Sequence, residues 1–207
     1  MTRTLFALTL AAVAFSGPAF AQQTTTPAPA TTPAPQNNTV NDRRTDQQDR
    51  IANGVQSGQL TAGETKNIEG REANLNREIH DDRSADDGKL TAQERQQVNH
   101  QQNNLSKSIY TDKHNANIAH YGNNEIGQRR ENQQDRIAQG IRSGQMSTGE
   151  VAKTENREQG INEQDHADRA ADGGKLTGRD KVQLNRQLNG ASRQIHRQKH
   201  NAVKAPK

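Results

Sequence analysis

The feature that most constrains the fold of this chain is an internal duplication at an offset of 86 residues. The segment QQDRIANGVQSGQLTAGE at 47–64 aligns without a gap with QQDRIAQGIRSGQMSTGE at 133–150, and the likeness continues to a Lys-His-Asn triplet that closes each copy. A repeat of this kind is one supersecondary unit, which buries its apolar face against a neighbouring unit. The duplication therefore predicts two tandem copies of one unit, at 41–116 and 131–202, with a linker at 117–130.

Each copy carries the motif Gly-x-Leu/Met-Thr/Ser-x-x-Glu/Asp twice, at a spacing of 30 residues. The motifs begin at Gly58, Gly88, Gly144 and Gly174. The polar segments between them place apolar residues at helical spacings, as where Ile68, Leu75 and Ile79 step by seven and four. No proline lies between positions 35 and 206, so no proline interrupts a helix in either copy. These patterns predict an all-α chain with three helices in each copy, packed through a narrow seam of the coiled-coil kind.

Apolar residues are scarce, and the second copy has fewer of them in its middle segment. Only 23 of the 186 residues from Gln22 onward are Leu, Ile or Val, which is well below the roughly 20% under which disorder becomes the default expectation. Thr154 and Asp165 of the second copy stand where the first copy has Ile68 and Ile79. We therefore expect a thin core that is stabilised by pairing of the copies or by self-association.

The beginning of the chain has a composition unlike that of the repeats. Arg3, an apolar run and an Ala-x-Ala site ending at Ala21 are typical of a secretory signal peptide at 1–21. The Pro/Thr/Ala-rich segment 22–40 predicts a disordered, extended tether, and 203–207 forms a short tail. The chain has no cysteine, which excludes disulfides and thiolate metal sites. The sequence thus predicts a periplasmic or secreted protein with no transmembrane segment in the mature chain.

One interpretation of the repeated motif is a calcium loop, because its second half resembles the EF-hand family. With the glycine at loop position 6, an apolar residue falls at position 8 and an acidic residue falls at position 12, where EF-hands bind the ion through a glutamate. Positions 1 and 3 carry no carboxylate in any of the four loops. Under this interpretation the candidate calcium ligands are Ser57, Glu64, Asp87, Glu94, Ser143 and Glu150.

The other interpretation, which we favour, needs no ion. Glycine ends helices in the left-handed conformation, and Thr/Ser-x-x-Glu is the capping box that starts the next helix. The capping residues are then Thr61, Glu64, Thr91, Glu94, Ser147 and Glu150. By the same logic, Asn115 and Asn201 of the Lys-His-Asn triplets are expected to take the left-handed conformation at a helix end.

The motif content argues against catalysis and against nucleic-acid binding. No nucleophile elbow, P-loop, dinucleotide-binding fingerprint or His-Glu-x-x-His motif occurs in the sequence. A core this thin is expected to bury no carboxylate, so the perturbed groups on which enzymes depend are not predicted. Beyond the leader the aromatic residues are Tyr110 and Tyr121, and charges of both signs are interspersed, unlike the basic, aromatic surfaces that bind nucleic acids.

The pattern QQDRI…SGQLTAGE…DRSADDGKLTAQE…KHN resembles a group of uncharacterised exported proteins of Gram-negative bacteria over residues 41–202. The resemblance implies export and helicity, and it provides no site residues. We expect a non-enzymatic, envelope-associated structural or interaction module whose partner is an unidentified envelope component or a second copy of the chain. The alternative is a weak calcium-binding protein with degenerate EF-hand-like loops.

Overall fold

The computed structural model describes residues 39–204, which form six α-helices and no strand. The helices are α1 Val40–Gln56, α2 Ala62–Ala85, α3 Ala92–Lys113, α4 Glu125–Arg142, α5 Thr148–Ala171 and α6 Gly178–Lys199. The all-α fold that the sequence predicts is confirmed, and six helices fit two units of three. The predicted signal peptide at 1–21 lies outside the described residues, as do nearly all of the tether at 22–40 and most of the tail.

Two helices begin earlier than the sequence analysis expected. Val40 already belongs to α1, because Thr39 caps that helix. Glu125 begins α4 inside the predicted linker at 117–130. Asn124 is the N-cap of α4, and its side-chain oxygen accepts a hydrogen bond of 3.1 Å from a backbone N–H of the first turn. Asparagine is a strong N-cap residue, so Asn124 marks a helix start that the alignment of the two copies does not reveal.

Capping boxes set the starts of the helices. In α2 the Thr61 hydroxyl accepts from the Glu64 N–H, and the Glu64 carboxylate accepts from the Thr61 N–H at 2.9 Å. The other boxes are Thr39/Asp42, Thr91/Glu94 and Thr177/Asp180. At the start of α5, Glu150 Oε2 accepts from the N–H and from the hydroxyl of Ser147 at 3.0 and 2.9 Å. The four motif glycines end the preceding helices with φ between 66° and 87°, a region in which a side chain is strained. Each motif therefore ends one helix and starts the next.

The apolar residue of the motif packs over the end of the preceding helix. At the α1–α2 junction the Leu60 N–H donates to the Gly54 carbonyl at 3.0 Å, and a Cβ on Gly54 would lie 2.7 Å from Leu60 Cδ1. The α4–α5 junction repeats this arrangement with Met146 over Gly140, through a hydrogen bond of 3.1 Å. Glycine is required in the last turn of α1 and of α4 because the motif residue occupies the place of its side chain.

The two copies pair helix for helix within one compact body. Helix α2 packs along its counterpart α5, and α1 packs along its counterpart α4, while α3 and α6 pack only on helices of their own copy. The largest core cluster draws on both copies, and its members include Ile51, Ile68, Ile137 and Val151. Contact of α1 with α4 and of α2 with α5 is the arrangement that a two-fold axis between the copies produces. Of the two expected sources of stability, the described residues show the pairing of the copies.

Two buried glutamines account for the duplicated QQDRI segment. The Gln47 side-chain amide donates to the Gln102 carbonyl at 2.8 Å and to the Ser106 hydroxyl at 2.9 Å. Gln133 makes the equivalent pair of bonds to α6. In each copy, a glutamine that is at most 2% exposed therefore joins the first helix to the third.

Candidate functional site

The first carboxylate predicted as a calcium ligand, Glu64, is fully engaged by the chain itself. Its Oε2 accepts from the Thr61 N–H at 2.9 Å and from the Thr61 hydroxyl at 2.7 Å. Its Oε1 accepts from the side-chain amides of Asn115 and Asn117 at 2.8 and 3.1 Å. Burial opposes ionisation of Glu64, but these hydrogen bonds outweigh it and lower the pKa of the carboxyl. The carboxylate joins the start of α2 to the end of α3.

The same tie in the second copy explains the duplicated Lys-His-Asn triplets. Glu150 accepts from the Ser147 N–H at 3.0 Å and from the Asn201 side-chain amide at 2.5 Å. The left-handed conformation expected of Asn115 and Asn201 is wrong, since Asp87 is the one non-glycine residue of the described chain with a positive φ. The asparagines instead tie the last helix of each copy to the start of its middle helix.

The remaining candidate ligands do not converge on a common point. Glu94 caps α3, and its negative charge raises the pKa of the neighbouring Asp86. Asp87 lies in the turn after α2, with φ of 50°. The hydroxyls of Ser57 and Ser143 donate to backbone carbonyls at 3.3 and 3.4 Å. Within residues 39–204, no group of three or more His, Asp or Glu side chains is arranged to hold a metal ion. Calcium binding by these loops stays a prediction.

The contact between α2 and α5 buries four glutamates, which corrects the expectation that the core buries no carboxylate. Glu69, Glu72 and Glu155 have no exposed surface, and Glu158 is 2% exposed. Glu155 and Glu158 are the counterparts of Glu69 and Glu72 at the 86-residue offset. A charged residue is rarely buried so completely without a partner, so these side chains are the most unusual feature of the interior.

The sequence does contain a signal for part of this buried set. Ile68 and Leu75 are seven residues apart, and Glu72 stands between them at the position that continues the same helical face. Glu158 occupies the equivalent place before Ile161. A carboxylate inside an otherwise apolar helical stripe indicates that the carboxylate is buried. A pattern drawn from the apolar residues alone misses this signal.

Neutral amides are the nearest partners of Glu69 and Glu155. The Gln134 side-chain amide donates to Glu155 at 3.0 Å, and Gln48 makes a longer contact of 3.4 Å with Glu69. Burial raises the pKa of Glu155 to about 8. Burial and the neighbouring negative charges of Glu72 and Glu155 raise the pKa of Glu69 well above its ordinary value. The Glu155 carboxyl is therefore protonated in mildly acidic solution.

Glu72 and Glu158 each face an arginine of the first helix in their copy. Glu72 Oε1 lies 3.7 Å from Arg44 Nε. Arg130, the counterpart of Arg44, attracts Glu158. Its Nη1 also lies 3.9 Å from Asp165 Oδ2. Burial raises the pKa of both glutamates to about 7 against the attraction of these cations. The interface between the copies thus changes its charge close to neutral pH.

The linker lies as an extended segment in a groove formed by both copies, which we call the Tyr121 groove. The Ala119 N–H donates to the Gly58 carbonyl at 2.9 Å. The Arg130 guanidinium carbon lies 5.4 Å from the centroid of the Tyr121 ring, within the range of a cation–π interaction. Ala119 and Tyr121 are half-buried while His120 between them is exposed, so alternate side chains face the groove. The fold therefore binds a short peptide segment of its own.

The counterpart of this groove lies between α1, α2 and the α4–α5 junction, and we call it the Arg44 groove. Its volume is about 230 Å³, and its lining includes Arg44, Glu72, Asn76 and Gly144. Arg44 and Gly144 correspond to the Arg130 and Gly58 that hold the linker. Gly58 is buried beneath the linker, whereas Gly144 is half-exposed. The buried amide atoms of Asn76 have no hydrogen-bond partner among the described residues.

None of the helices within residues 39–204 is long and apolar enough to cross a membrane. Comparison of the chain with protein-family models, with curated proteins and with solved structures finds no match.

Proposed function

We propose that the protein is an exported, non-enzymatic helical repeat module that acts in the bacterial envelope, periplasmic or secreted, as a structural or interaction component. The observation that carries this proposal is the docking of the linker between the copies, through Ala119 on a backbone carbonyl and Tyr121 on an arginine. A fold that holds one extended segment in this way is suited to holding another. Export is the expectation drawn from the leader at 1–21.

Internal pairing supports binding of a partner rather than self-association as the role of the exposed surface. The apolar faces of α1, α2, α4 and α5 already cover one another. Within residues 39–204, the large apolar residues that stay exposed lie on different elements: Tyr110, Ile118, Val182 and Val203. Scattered apolar residues of this kind are ordinary on a monomer, so a second copy is not needed to cover them.

Export and envelope contact are tested together in a Gram-negative host that expresses the full chain. We expect a mature N-terminus at Gln22 and recovery of the protein from the periplasm or the medium. Photo-reactive residues placed singly at the exposed positions Thr45, Asn103 and Arg193 should give adducts with envelope components at one or more of them. Retention in the cytoplasm with the leader intact, or the absence of adducts at all three positions, would contradict the proposal.

A weak divalent-cation function is the second candidate, and the turn between α2 and α3 favours it. Burial and the charges of Glu94, Glu78, Asp81 and Asp86 raise the pKa of Asp82. Carboxylates that repel one another are stabilised by a bound cation. Calcium affinity of the EF-hand type still requires six to eight oxygen ligands, which leaves water as the main source of ligands here.

Calorimetric titration of residues 22–207 with calcium, after treatment with EDTA, tests this second candidate. A saturable heat signal that Glu94→Gln and Glu150→Gln abolish would support it. A titration without heat at millimolar calcium, together with an unchanged far-UV circular dichroism spectrum, would remove it.

A further inference from the structure

We propose that the solvent-facing side of α6 is a docking surface for an anionic lipid bilayer, whose phosphate groups are bound by the arginines of that helix. The proposal rests on the proposed function as an envelope module, and it names the surface and the chemistry of the envelope component that the module contacts. The residues that carry it lie outside both grooves.

Four arginines of α6 lie on the side of the helix opposite its buried seam, and we call this side the arginine face. The seam consists of residues 184, 188, 191 and 195. The arginines follow one another at steps of seven, seven and four residues, which keeps them on one side of a helix: Arg179, Arg186, Arg193 and Arg197. All four are exposed, and their line extends over about 27 Å at the helical rise per residue. Because α6 packs only on α4 and α5, no helix of the described chain covers this side.

The arginine face has no acidic partner within the chain. Among residues 39–204, no ion pair includes an arginine of α6. Asp180, the one acidic residue of α6, is engaged by the Thr177 cap through bonds of 2.9 and 2.6 Å. Residues 1–38 and 205–207 contain no Asp or Glu, so neither segment brings an acidic side chain to this face. The positive charge of the face is therefore left for a partner outside the chain.

The counterpart helix α3 has no such face, although both helices pack in the same way within their copies. The residues of α3 at the positions of the four arginines are Gln93, His100, Lys107 and Thr111. Helix α6 contains six Lys and Arg residues and one acidic residue, whereas α3 contains three and two. The copies share the packing of the third helix but not the charge of its outer side, so the fold does not require these arginines.

The arrangement of the cations fits a surface of phosphate groups. Guanidinium groups bind phosphate oxygens through two parallel hydrogen bonds, and each basic residue near an anionic bilayer adds to the attraction. Arg157 of α5 widens the face, since its Nη1 would lie 3.5 Å from a Cβ on Gly190. Val182 is the one large apolar residue of α6 that is exposed. A long, outward-facing band of cations with so little apolar surface suits contact with lipid headgroups rather than insertion between the acyl chains.

Co-sedimentation with lipid vesicles tests the proposal on residues 22–207, which contain every described residue. We expect binding to vesicles of equal parts phosphatidylcholine and phosphatidylglycerol, and no binding to phosphatidylcholine alone. Binding should be lost above about 0.3 M salt, because salt screens exposed charges. The triple variant Arg186→Gln/Arg193→Gln/Arg197→Gln should bind more weakly by about tenfold or more. Its far-UV circular dichroism spectrum should be unchanged, because these side chains are exposed.

A matched control separates the arginine face from the net charge of the protein. Arg77→Gln/Lys89→Gln/Lys107→Gln removes the same charge from exposed positions of the first copy and should bind nearly as well as the unaltered protein. Absence of binding to the mixed vesicles at low salt would overturn the proposal, as would an equal loss of binding in both triple variants. Binding of soluble polyphosphate without binding of vesicles would also overturn it, because the face would then belong to a linear polyanion.

Failure of this proposal and failure of the proposed function have different signatures. Envelope adducts at Thr45 or Asn103 without vesicle binding would reject the lipid surface and leave the proposed function standing. Vesicle binding that the arginine variant weakens, in a protein that stays in the cytoplasm with its leader intact, would support the lipid surface and contradict the proposed function.

Discussion

Single glycines have different roles in this chain, and what surrounds each one decides its role. A Cβ on Gly54 would meet Leu60 Cγ and Cδ1 at 2.7 Å, whereas a Cβ on Gly70 in the middle of α2 would meet no atom within 4 Å. The first glycine makes room for the motif residue of the next helix. No neighbouring group needs the space at the second glycine, so its remaining effect is the backbone freedom of glycine, which weakens a helix.

We expect Gly54→Ala and Gly70→Ala to change stability in opposite directions. Gly54→Ala should lower the free energy of unfolding by about 1–3 kcal/mol, because Leu60 must leave its rotamer or its position. Gly70→Ala should raise it by about 0.5–1 kcal/mol. Urea unfolding followed by circular dichroism measures both, and a loss of stability in both variants would contradict this account of the junction.

The cap of α2 makes a separate prediction at the residue scale. Thr61→Ala removes the acceptor for the Glu64 N–H and should lower the free energy of unfolding by about 1 kcal/mol. The loss should be equal in EDTA and in calcium, since the cap needs no ion. Thr111→Ala, an exposed threonine on α3, is the control and should change little. If calcium restored the free energy of unfolding of Thr61→Ala, the result would favour calcium binding over helix capping as the role of this motif.

At the scale of helix contacts, the buried glutamates should make the folded protein more stable at acidic than at alkaline pH. The four glutamates between α2 and α5 have folded-state pKa values raised above the ordinary value of 4.5. Their stabilising contribution is complete below pH of about 4.5 and is lost as the pH rises through 7 to 8. The cap carboxylates Asp42, Glu94 and Asp180, whose pKa values hydrogen bonds lower, act in the opposite direction at lower pH.

We therefore expect the free energy of unfolding to be larger at pH 5.5 than at pH 8. One unit of pKa shift corresponds to about 1.4 kcal/mol, so the difference should be several kcal/mol. The double variant Glu69→Gln/Glu155→Gln should flatten this dependence, because it removes two of the titrating groups from the interface. Glu163→Gln, on an exposed part of α5, is the control. A pH dependence that the double variant does not change would show that these carboxyls are not its source.

The elements also show how far sequence reasoning reaches. Helix starts such as the one at Thr61 could be predicted, because a capping box is local and each residue has one role. The burial of Glu69 could not, since it depends on which helix covers that face. Thr154 and Asp165 looked like weak points of the second copy, yet Thr154 is buried and bonded to α6 by Gln194 at 3.2 Å, and Asp165 pairs with Arg169 at 3.0 Å. Polar contacts replace the apolar residues of the first copy there.

For the whole molecule, the shared core means that neither copy is complete alone. Ile51 and Ile68 of the first copy lie in one cluster with Ile137 and Val151 of the second. The sequence left pairing of the copies and self-association open, because both arrangements bury the same helix faces. The linker decides between them by joining the partners at high effective concentration.

We predict one cooperative unfolding transition for the full chain. A fragment of residues 39–116 should be poorly helical at low concentration, because it exposes the apolar face that normally contacts the other copy. Mixing it with residues 117–204 should restore helicity, as followed by circular dichroism. Two separate calorimetric transitions, or a stable monomeric 39–116 fragment, would show that the copies are independent domains.

The passage of the linker through one groove has a consequence for the symmetry of the molecule. Two separate single-copy chains that paired helix for helix would present two identical grooves related by symmetry. Joining them through residues 117–124 makes the grooves unequal, because Tyr121 occupies one of them permanently. Covalent duplication thereby breaks the symmetry of the paired copies: the residues that line the Tyr121 groove must fit the linker, whereas their counterparts at the 86-residue offset need not fit it.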